Sequence, residues 1–184
     1  MTTTATSFRS MDESTKEQWA RIADETFKHQ DRVANRVLSM LEELAAITDG
    51  FSVDQKMHSL QTATRSERGG ADEEMIVASL CHDIGKVVSV PNHPAIAAEM
   101  LKPYVRPEVY NVIRTHQDFQ GRHYYEYFGA NPEAREQYRT EEWFSLGEQF
   151  ADVWDQTSFD PDYPTDDLAH FEPLVRSVFA NPKY

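Results

Sequence analysis

Apolar side chains recur at the spacing of an α-helix along most of this chain, and almost no stretch shows the apolar–polar alternation of a half-buried strand. The pattern is clearest on two helical faces near the ends of the chain, formed by Val33, Val37, Leu41 and Leu44 and by Phe171, Leu174, Val175, Val178 and Phe179. Because each such face must be buried against other helices, the sequence predicts an all-α fold, a bundle of about six to eight helices.

Capping residues and glycines divide the first part of this pattern. Ser14 followed by Glu17 indicates a capping box, and helical spacing then continues as one helix, or as two with a break near Lys28 to Asp31. The next helix is predicted from Ser52 to Gly69-Gly70, where the missing side chains suit a left-handed stop.

Aspartate and proline mark the helix starts that follow. Asp72 can cap a helix that ends at His82-Asp83, and Pro94 and Pro107 each suit the first position of a further helix. Helical spacing of apolar residues also predicts a helix between Thr140 and Asp155.

Length and charge limit the organisation and the partners of the chain. The 184 residues lie within the size of one domain, so we expect a single domain over residues 1–184, with a helix or helices over residues 14–48 preceding its core. The formal net charge of −13 would repel nucleic acid and an anionic membrane surface. We therefore expect neither as a partner, and a monomer or homodimer that binds a small molecule.

The single cysteine and the N-terminal sequence indicate in which cellular compartment the protein is expected. Cys81 is the only cysteine and lies in the apolar run MIVASLC, so no intrachain disulfide can form and a buried, inert thiol is expected. The start MTTTATSFRSMDEST lacks the basic residues and apolar stretch of a secretory signal, and no window is apolar enough for a membrane span. These observations predict a cytoplasmic protein.

Four of the seven histidines fall on the core-facing side or at the ends of predicted helices, and they are His58, His82, His93 and His116. Any one of them alone is most simply a core histidine bonded to a backbone carbonyl. Asp83 changes this interpretation, because adjacent His and Asp side chains can reach different metal ions and the carboxylate can bridge them. With Asp155, the pattern H…HD…H…H…D supplies nitrogen and oxygen ligands for two transition-metal ions rather than for a structural zinc.

The segment MHSLQTATRSERGGADEEMIVASLCHDIGK resembles the core of HD-domain proteins, and more narrowly the inositol-oxygenase-like and phosphonate-cleaving branch of mixed-valent di-iron oxygenases. Residues 58–61 match its H-[SA]-L-Q element, residues 82–85 match its H-D-[IL]-G element, and the similarity extends over about residues 53–179. The resemblance implies an HD-domain helical bundle whose metal ligands are His58, His82, Asp83, His93, His116 and Asp155. Asp152, one turn earlier, is the alternative to Asp155.

The resemblance also implies a reaction. Two iron ions in a mixed-valent Fe(II)/Fe(III) state, with O2 as co-substrate and Asp83 as the bridging ligand, would cleave the carbon–phosphorus bond of a 1-hydroxy-2-aminoalkylphosphonate. The stretch AITDGFSVDQKMHSLQ lacks the tyrosine and glutamate that similar phosphonate-cleaving enzymes carry there, which favours an N-trimethylated substrate and the products glycine betaine and phosphate. Aromatic rings for a trimethylammonium group could come from Phe51, Tyr124, Tyr125, Tyr127, Phe128, Trp143 and Phe144.

Four basic or amide side chains are candidates for binding the anionic end of this substrate. Lys86 follows the HDIG element, where inositol-oxygenase-like enzymes have a lysine that meets the substrate. Gln120 and Arg122 follow His116 by about one to one and a half helical turns, so they could point over the metals, and Arg139 has a weaker claim.

Two other functions fit the same ligand residues. A phosphohydrolase acting on a small phosphate ester or nucleotide would use the metals to acidify a water molecule and to stabilise the developing charge. A metal-stabilised regulatory module without catalysis is the third interpretation, because the HD superfamily also includes such modules.

Overall fold

The structure, a computed structural model, describes residues 8–29, 31–180 and 182–183, and within them the chain is helical with no β-strand. The eight α-helices of this part of the chain are α1 (Lys16–Phe27), α2 (Asp31–Glu43), α3 (Gln55–Arg68), α4 (Glu73–Cys81), α5 (His93–Leu101), α6 (Pro107–Gln120), α7 (Phe144–Gln149) and α8 (Leu168–Ala180). The predicted all-α bundle is confirmed. Residues 1–7, on which part of the prediction about a secretory signal depends, lie outside the described residues.

The N-terminal segment forms two helices that separate near Lys28, one of the two alternatives left open by the sequence. The capping box of α1 consists of Thr15 and Gln18, whose side chains each accept the backbone N–H of the other residue. The box therefore lies one residue beyond the predicted pair of Ser14 and Glu17, because the N–H of Ser14 closes a preceding 3₁₀ turn instead.

The boundaries of α3 and α4 depend on two aspartates and one glycine. Asp54, not Ser52, caps α3, and its carboxylate accepts the N–H of Met57 at 2.7 Å. After α3 the chain turns through Gly70, whose φ of +79° is accessible to glycine without strain. Asp72 then caps α4 as predicted.

Proline starts α5 and α6 as predicted, whereas the helix expected from Thr140 to Asp155 is divided. Its regular part begins only at Phe144, and the chain then continues as a π-helical segment, Phe150–Asp155. A π-helical turn interrupts the regular spacing of side chains, so helical periodicity does not predict it, and such turns are common at functional sites.

Buried apolar residues of all helices from α2 to α8 form the core. The helix α3 packs on α4 and on the π-helical segment, α5 packs on α6, and α2 packs on α8. Cys81 is buried within this core, and burial raises the pKa of its thiol to about 12, in agreement with the inert thiol that was predicted. Among the described residues no helix is long and apolar enough to cross a membrane.

Candidate metal centre

Six side chains that the sequence analysis selected as metal ligands converge inside the bundle. They come from α3, the end of α4 and the residue after it, the start of α5, α6, and the end of the π-helical segment. None is more than 4% exposed, and they are His58, His82, Asp83, His93, His116 and Asp155. The fold thus places four imidazoles and two carboxylates in one buried cluster.

The HDIG element explains how three of these side chains meet. His82 is the C-cap of α4, and Asp83 follows with φ −99° and ψ 3°, a sparsely populated conformation in which the chain leaves the helix. At Gly85, a Cβ atom would lie 2.4 Å from the carbonyl oxygen of His93. Only glycine therefore allows the turn after Asp83 to pack against the start of α5, which brings His93 to the cluster.

Each of the four imidazoles contacts a backbone carbonyl through Nδ1. The distances are 2.9 Å from His58 to Ser158, 2.8 Å from His82 to Ser79, 2.7 Å from His93 to Val90 and 2.7 Å from His116 to Ile113. Because a carbonyl oxygen can only accept a hydrogen bond, Nδ1 is the protonated nitrogen in the neutral ring. Nε2 therefore presents a lone pair to the cluster, which is the tautomer that binds a metal ion.

The carboxylate of Asp83 lies between two pairs of histidines. Its Oδ1 is 3.0 Å from Nε2 of His93 and 3.5 Å from Nε2 of His116. Its Oδ2 is 3.5 Å from Nε2 of His58 and 3.4 Å from Nε2 of His82. One carboxylate thus contributes a different oxygen to each pair, as a ligand that bridges two cations would.

Asp155 joins only one of these pairs. Its Oδ1 is 3.2 Å from Nε2 of His58 and 3.5 Å from Nε2 of His82. We call His58, His82 and Asp155 with Oδ2 of Asp83 the first half-site. The second half-site is His93 and His116 with Oδ1 of Asp83, and it has one protein ligand fewer.

The distances between the inward-facing atoms fit bound metal ions. Within each half-site the two Nε2 atoms are 3.0 Å apart for His58 and His82, and 3.3 Å apart for His93 and His116. Ligand atoms held about 2.1 Å from one ion lie about 3.0 Å apart at a right angle and about 3.4 Å apart at the tetrahedral angle. Oδ1 of Asp83 and Oδ1 of Asp155 are also buried without a hydrogen-bond partner in the described part of the chain. Two facing lone pairs and two unpaired carboxylate oxygens are stabilised by a cation between them, so the cluster could hold metal ions.

The ionisation of the cluster residues also favours a bound cation. Burial alone would raise the pKa of Asp83 and Asp155, but the neighbouring imidazoles, His82 above all, lower the pKa of both. Burial likewise acts to lower the pKa of His82, yet the two carboxylates outweigh it and raise that pKa to about 10. At His116, burial prevails and lowers the pKa. Two ionised carboxylates in a buried place require positive charge, which a protonated His82 supplies in the absence of a metal ion and which a bound metal ion would supply in place of that proton.

The structure separates the two candidate aspartates of the π-helical segment. Asp155 lies in the cluster, whereas the Asp152 carboxylate accepts a hydrogen bond from Arg135 at 2.9 Å and is 3.0 Å from Nε2 of His123. The two side chains of this one π-helical segment therefore lie in different environments. Asp155 is the one that can act as a ligand.

A cavity of about 520 Å³ opens beside the cluster and exposes His58, Asp83 and His93 to it. Its other walls are Asp49, Phe51, Lys86, Val90, Gln117, Gln120, His123, Tyr124, Phe128, Gln156 and Phe159. Phe159 stacks on the imidazole of His58, with ring centroids 4.3 Å apart. The sequence analysis did not select Phe159, Gln117 or Asp49.

Two of the four predicted substrate-binding residues lie at this cavity. Nζ of Lys86 is 2.6 Å from Oδ2 of Asp83 and donates to Oε1 of Gln55 at 2.8 Å. Gln120 donates a hydrogen bond to Oδ2 of Asp155 and so also holds that carboxylate in place. Both side chains therefore join the wall of the cavity to the carboxylates of the cluster.

The structure does not bring Arg122 and Arg139 to the cavity. Because α6 ends at Gln120, Arg122 lies in a 3₁₀ turn, where its Nη1 is 3.5 Å from Asp152 and its side chain is 47% exposed. Arg139 is exposed and paired with Glu136. Of the aromatic candidates, three line the cavity, whereas Trp143 and Phe144 belong to the buried core.

A comparison with protein families found one match. The model described as HD domain matches residues 56–160, which is more than half of the chain. This range contains the whole cluster, together with Lys86 and Gln120. A search among curated proteins found no match.

Proposed function

The chain belongs to the HD-domain family, and on that premise we propose that it is a non-heme di-iron oxygenase that uses O2 to cleave the carbon–phosphorus bond of a small hydroxyphosphonate. The observation that carries the proposal is the division of the buried cluster by the Asp83 carboxylate, which offers one oxygen to each of two histidine pairs. A bridging carboxylate with neutral imidazoles on both sides suits two transition-metal ions held close together.

The two half-sites differ in the number of protein ligands. His58, His82 and Asp155 would hold one iron ion, His93 and His116 would hold the other, and Asp83 would bridge them. A mixed-valent pair of iron ions supplies the activation of O2 and the removal of hydrogen from the carbon that carries the hydroxyl group. The second half-site has one protein ligand fewer, so an ion held there would keep more positions for substrate oxygen atoms, and its His93 lines the cavity, as His58 of the first half-site does. We assign the oxygen atoms of the substrate to that side.

Lys86 is the residue to which we assign the anionic phosphonate group. Its ammonium group directs N–H bonds to Asp83 and Gln55, and its side chain is 14% exposed at the cavity wall. An ammonium group has three donors, so one remains for a phosphonate oxygen. Gln117 and Gln120 on α6 offer amide donors to the same cavity.

The aromatic walls support a substrate with a cationic end. Phe51, Tyr124, Phe128 and Phe159 line the cavity, and the carboxylate residue Asp49 lines it as well. Ring faces attract quaternary ammonium groups and shield the reacting carbon from water. We therefore propose a 1-hydroxy-2-aminoalkylphosphonate, N-trimethylated, as the substrate. One O2 would be consumed, the carbon would be oxidised to a carboxylate, and glycine betaine and phosphate would be released.

The test is to incubate anaerobically purified, iron-loaded protein with 1-hydroxy-2-aminoethylphosphonate and with its N-trimethyl derivative, and to measure O2 uptake and phosphate release together. We expect one phosphate for each O2, and none from the analogue that lacks the 1-hydroxyl group. Phosphate release from simple phosphate esters, without O2 uptake, would instead establish the phosphohydrolase alternative.

A further inference from the structure

Gln55 is fully buried, and its side-chain amide contacts Lys86 in the wall of the cavity. It is the first residue of α3 and is 0% exposed. Its Oε1 accepts a hydrogen bond from Nζ of Lys86 at 2.8 Å. Its Nε2 is buried and has no hydrogen-bond partner among the described residues. Half of the amide is therefore paired with Lys86, and the other half is unsatisfied.

Packing and helix formation do not explain this side chain. A buried donor without a partner destabilises a fold, and a methionine of similar length would fill the space without that cost. The start of α3 is already capped by Asp54, and the backbone N–H of Gln55 donates to the carbonyl of Ile47 at 2.8 Å. What the amide provides, and an apolar side chain would not, is the acceptor for Lys86.

The position of Lys86 depends on acceptors on two sides. Oδ2 of Asp83 lies 2.6 Å from Nζ and would, alone, draw the ammonium group toward the buried cluster. Oε1 of Gln55 lies on α3, whereas Asp83 lies after α4, so the two acceptors hold the ammonium group from different elements. Lysine has a long flexible side chain, and fixing it before the ligand arrives reduces the entropy lost on binding.

We propose that Gln55 is a positioning residue that holds Lys86 so that its remaining N–H points to the anionic group of the substrate. The proposal rests on the proposed function for one property only, the negative charge of the substrate. It assigns to Gln55 no contact with substrate or metal.

Binding of inorganic phosphate to the metal-loaded protein tests this role without turnover. Titration calorimetry would compare wild type, Gln55→Met, Lys86→Ala and the double variant. We expect Gln55→Met to raise the dissociation constant roughly fivefold, and to have no further effect once Lys86 is alanine. Ser66→Ala is the matched control, because Ser66 is buried on the same helix and its hydroxyl donates to the Ala63 carbonyl of that helix. It should bind phosphate as wild type does.

Thermal unfolding separates positioning from a structural role. Because Gln55→Met removes an unpaired buried donor, its Tm should equal or exceed that of wild type while phosphate binding weakens. Unchanged phosphate binding in Gln55→Met would overturn the proposal, as would an equal loss in the presence and absence of Lys86. A wild type that binds no phosphate would also overturn it. A protein that binds phosphate through Lys86 but consumes no O2 would instead refute the oxygenase and leave the role of Gln55 intact.

Discussion

Asp155 and Asp152 lie in one π-helical segment, and replacing each of them separately by asparagine tests which of the two is a metal ligand. Asp155→Asn keeps the shape of the side chain but removes the charge of an oxygen that lies 3.2 Å from Nε2 of His58. Asp152→Asn makes the same chemical change at a carboxylate that is paired with Arg135. Both variants replace a carboxylate by an amide, but only the carboxylate of Asp155 faces the cluster.

The structure sets the size of the expected difference. Asp155→Asn removes one of two charged ligands from the first half-site and leaves the second half-site with all its ligands. Loss of a residue that merely orients a ligand costs about 10- to 100-fold in metal affinity, so loss of a charged ligand should cost at least about 100-fold, or roughly 2.8 kcal/mol. Asp152→Asn weakens the pairing of a buried guanidinium, that of Arg135, which keeps Glu148 as a second partner, so it should cost roughly 1–3 kcal/mol of stability and no metal ligand.

The assay is metal analysis by mass spectrometry after dialysis against metal-free buffer, with circular dichroism to confirm folding. We expect about two metal ions per chain in wild type and in Asp152→Asn, and about one in Asp155→Asn, in line with the two half-sites. Two ions in Asp155→Asn, or loss of metal from Asp152→Asn alone, would refute the assignment of the first half-site.

Three further predictions follow from single contacts. Gly85→Ala places a Cβ atom 2.4 Å from the His93 carbonyl oxygen, so it should lower the stability of the fold by at least about 1–3 kcal/mol and reduce the metal content. An unchanged Tm and an unchanged metal content would contradict this. Lys86→Ala should raise KM with metal content unchanged, and unaltered kinetics would remove Lys86 from substrate binding. Burial raises the pKa of Cys81 to about 12, so below that pH the thiol stays protonated, and a thiol reagent at pH 8 should label it only after unfolding. Rapid labelling of the native protein would contradict its burial.

The fold was predictable because its helices obey local rules. Residues such as Asp72, Pro94 and Pro107 cap or start helices through interactions within a few positions of themselves, so the sequence alone identifies them. Errors at Ser14 and Ser52 have one cause: a nearby residue, Thr15 or Asp54, competes for the same cap. Sequence spacing cannot rank two such neighbours.

The residues of the buried cluster were predictable for a related reason, and the cavity was not. A histidine on an apolar helix face or at a helix end must be compensated, so the sequence already marks residues such as His58 and His116. The positions of Phe159 and Gln55, by contrast, depend on contacts between segments that are distant in the sequence. For example, Nε2 of Gln61 donates to the carbonyl of Asp160, the residue after Phe159, at 2.7 Å. Arg122 was misplaced because the end of α6 changes the direction of the chain.

The central claim is that the buried cluster holds two iron ions that react with O2, and metal analysis of anaerobically purified wild-type protein, with electron paramagnetic resonance after partial oxidation, tests it most directly. The account predicts about two irons per chain and the signal of a coupled mixed-valent pair. Two ions of manganese, magnesium or zinc, without such a signal, would contradict the oxygenase and favour hydrolysis of a phosphate ester.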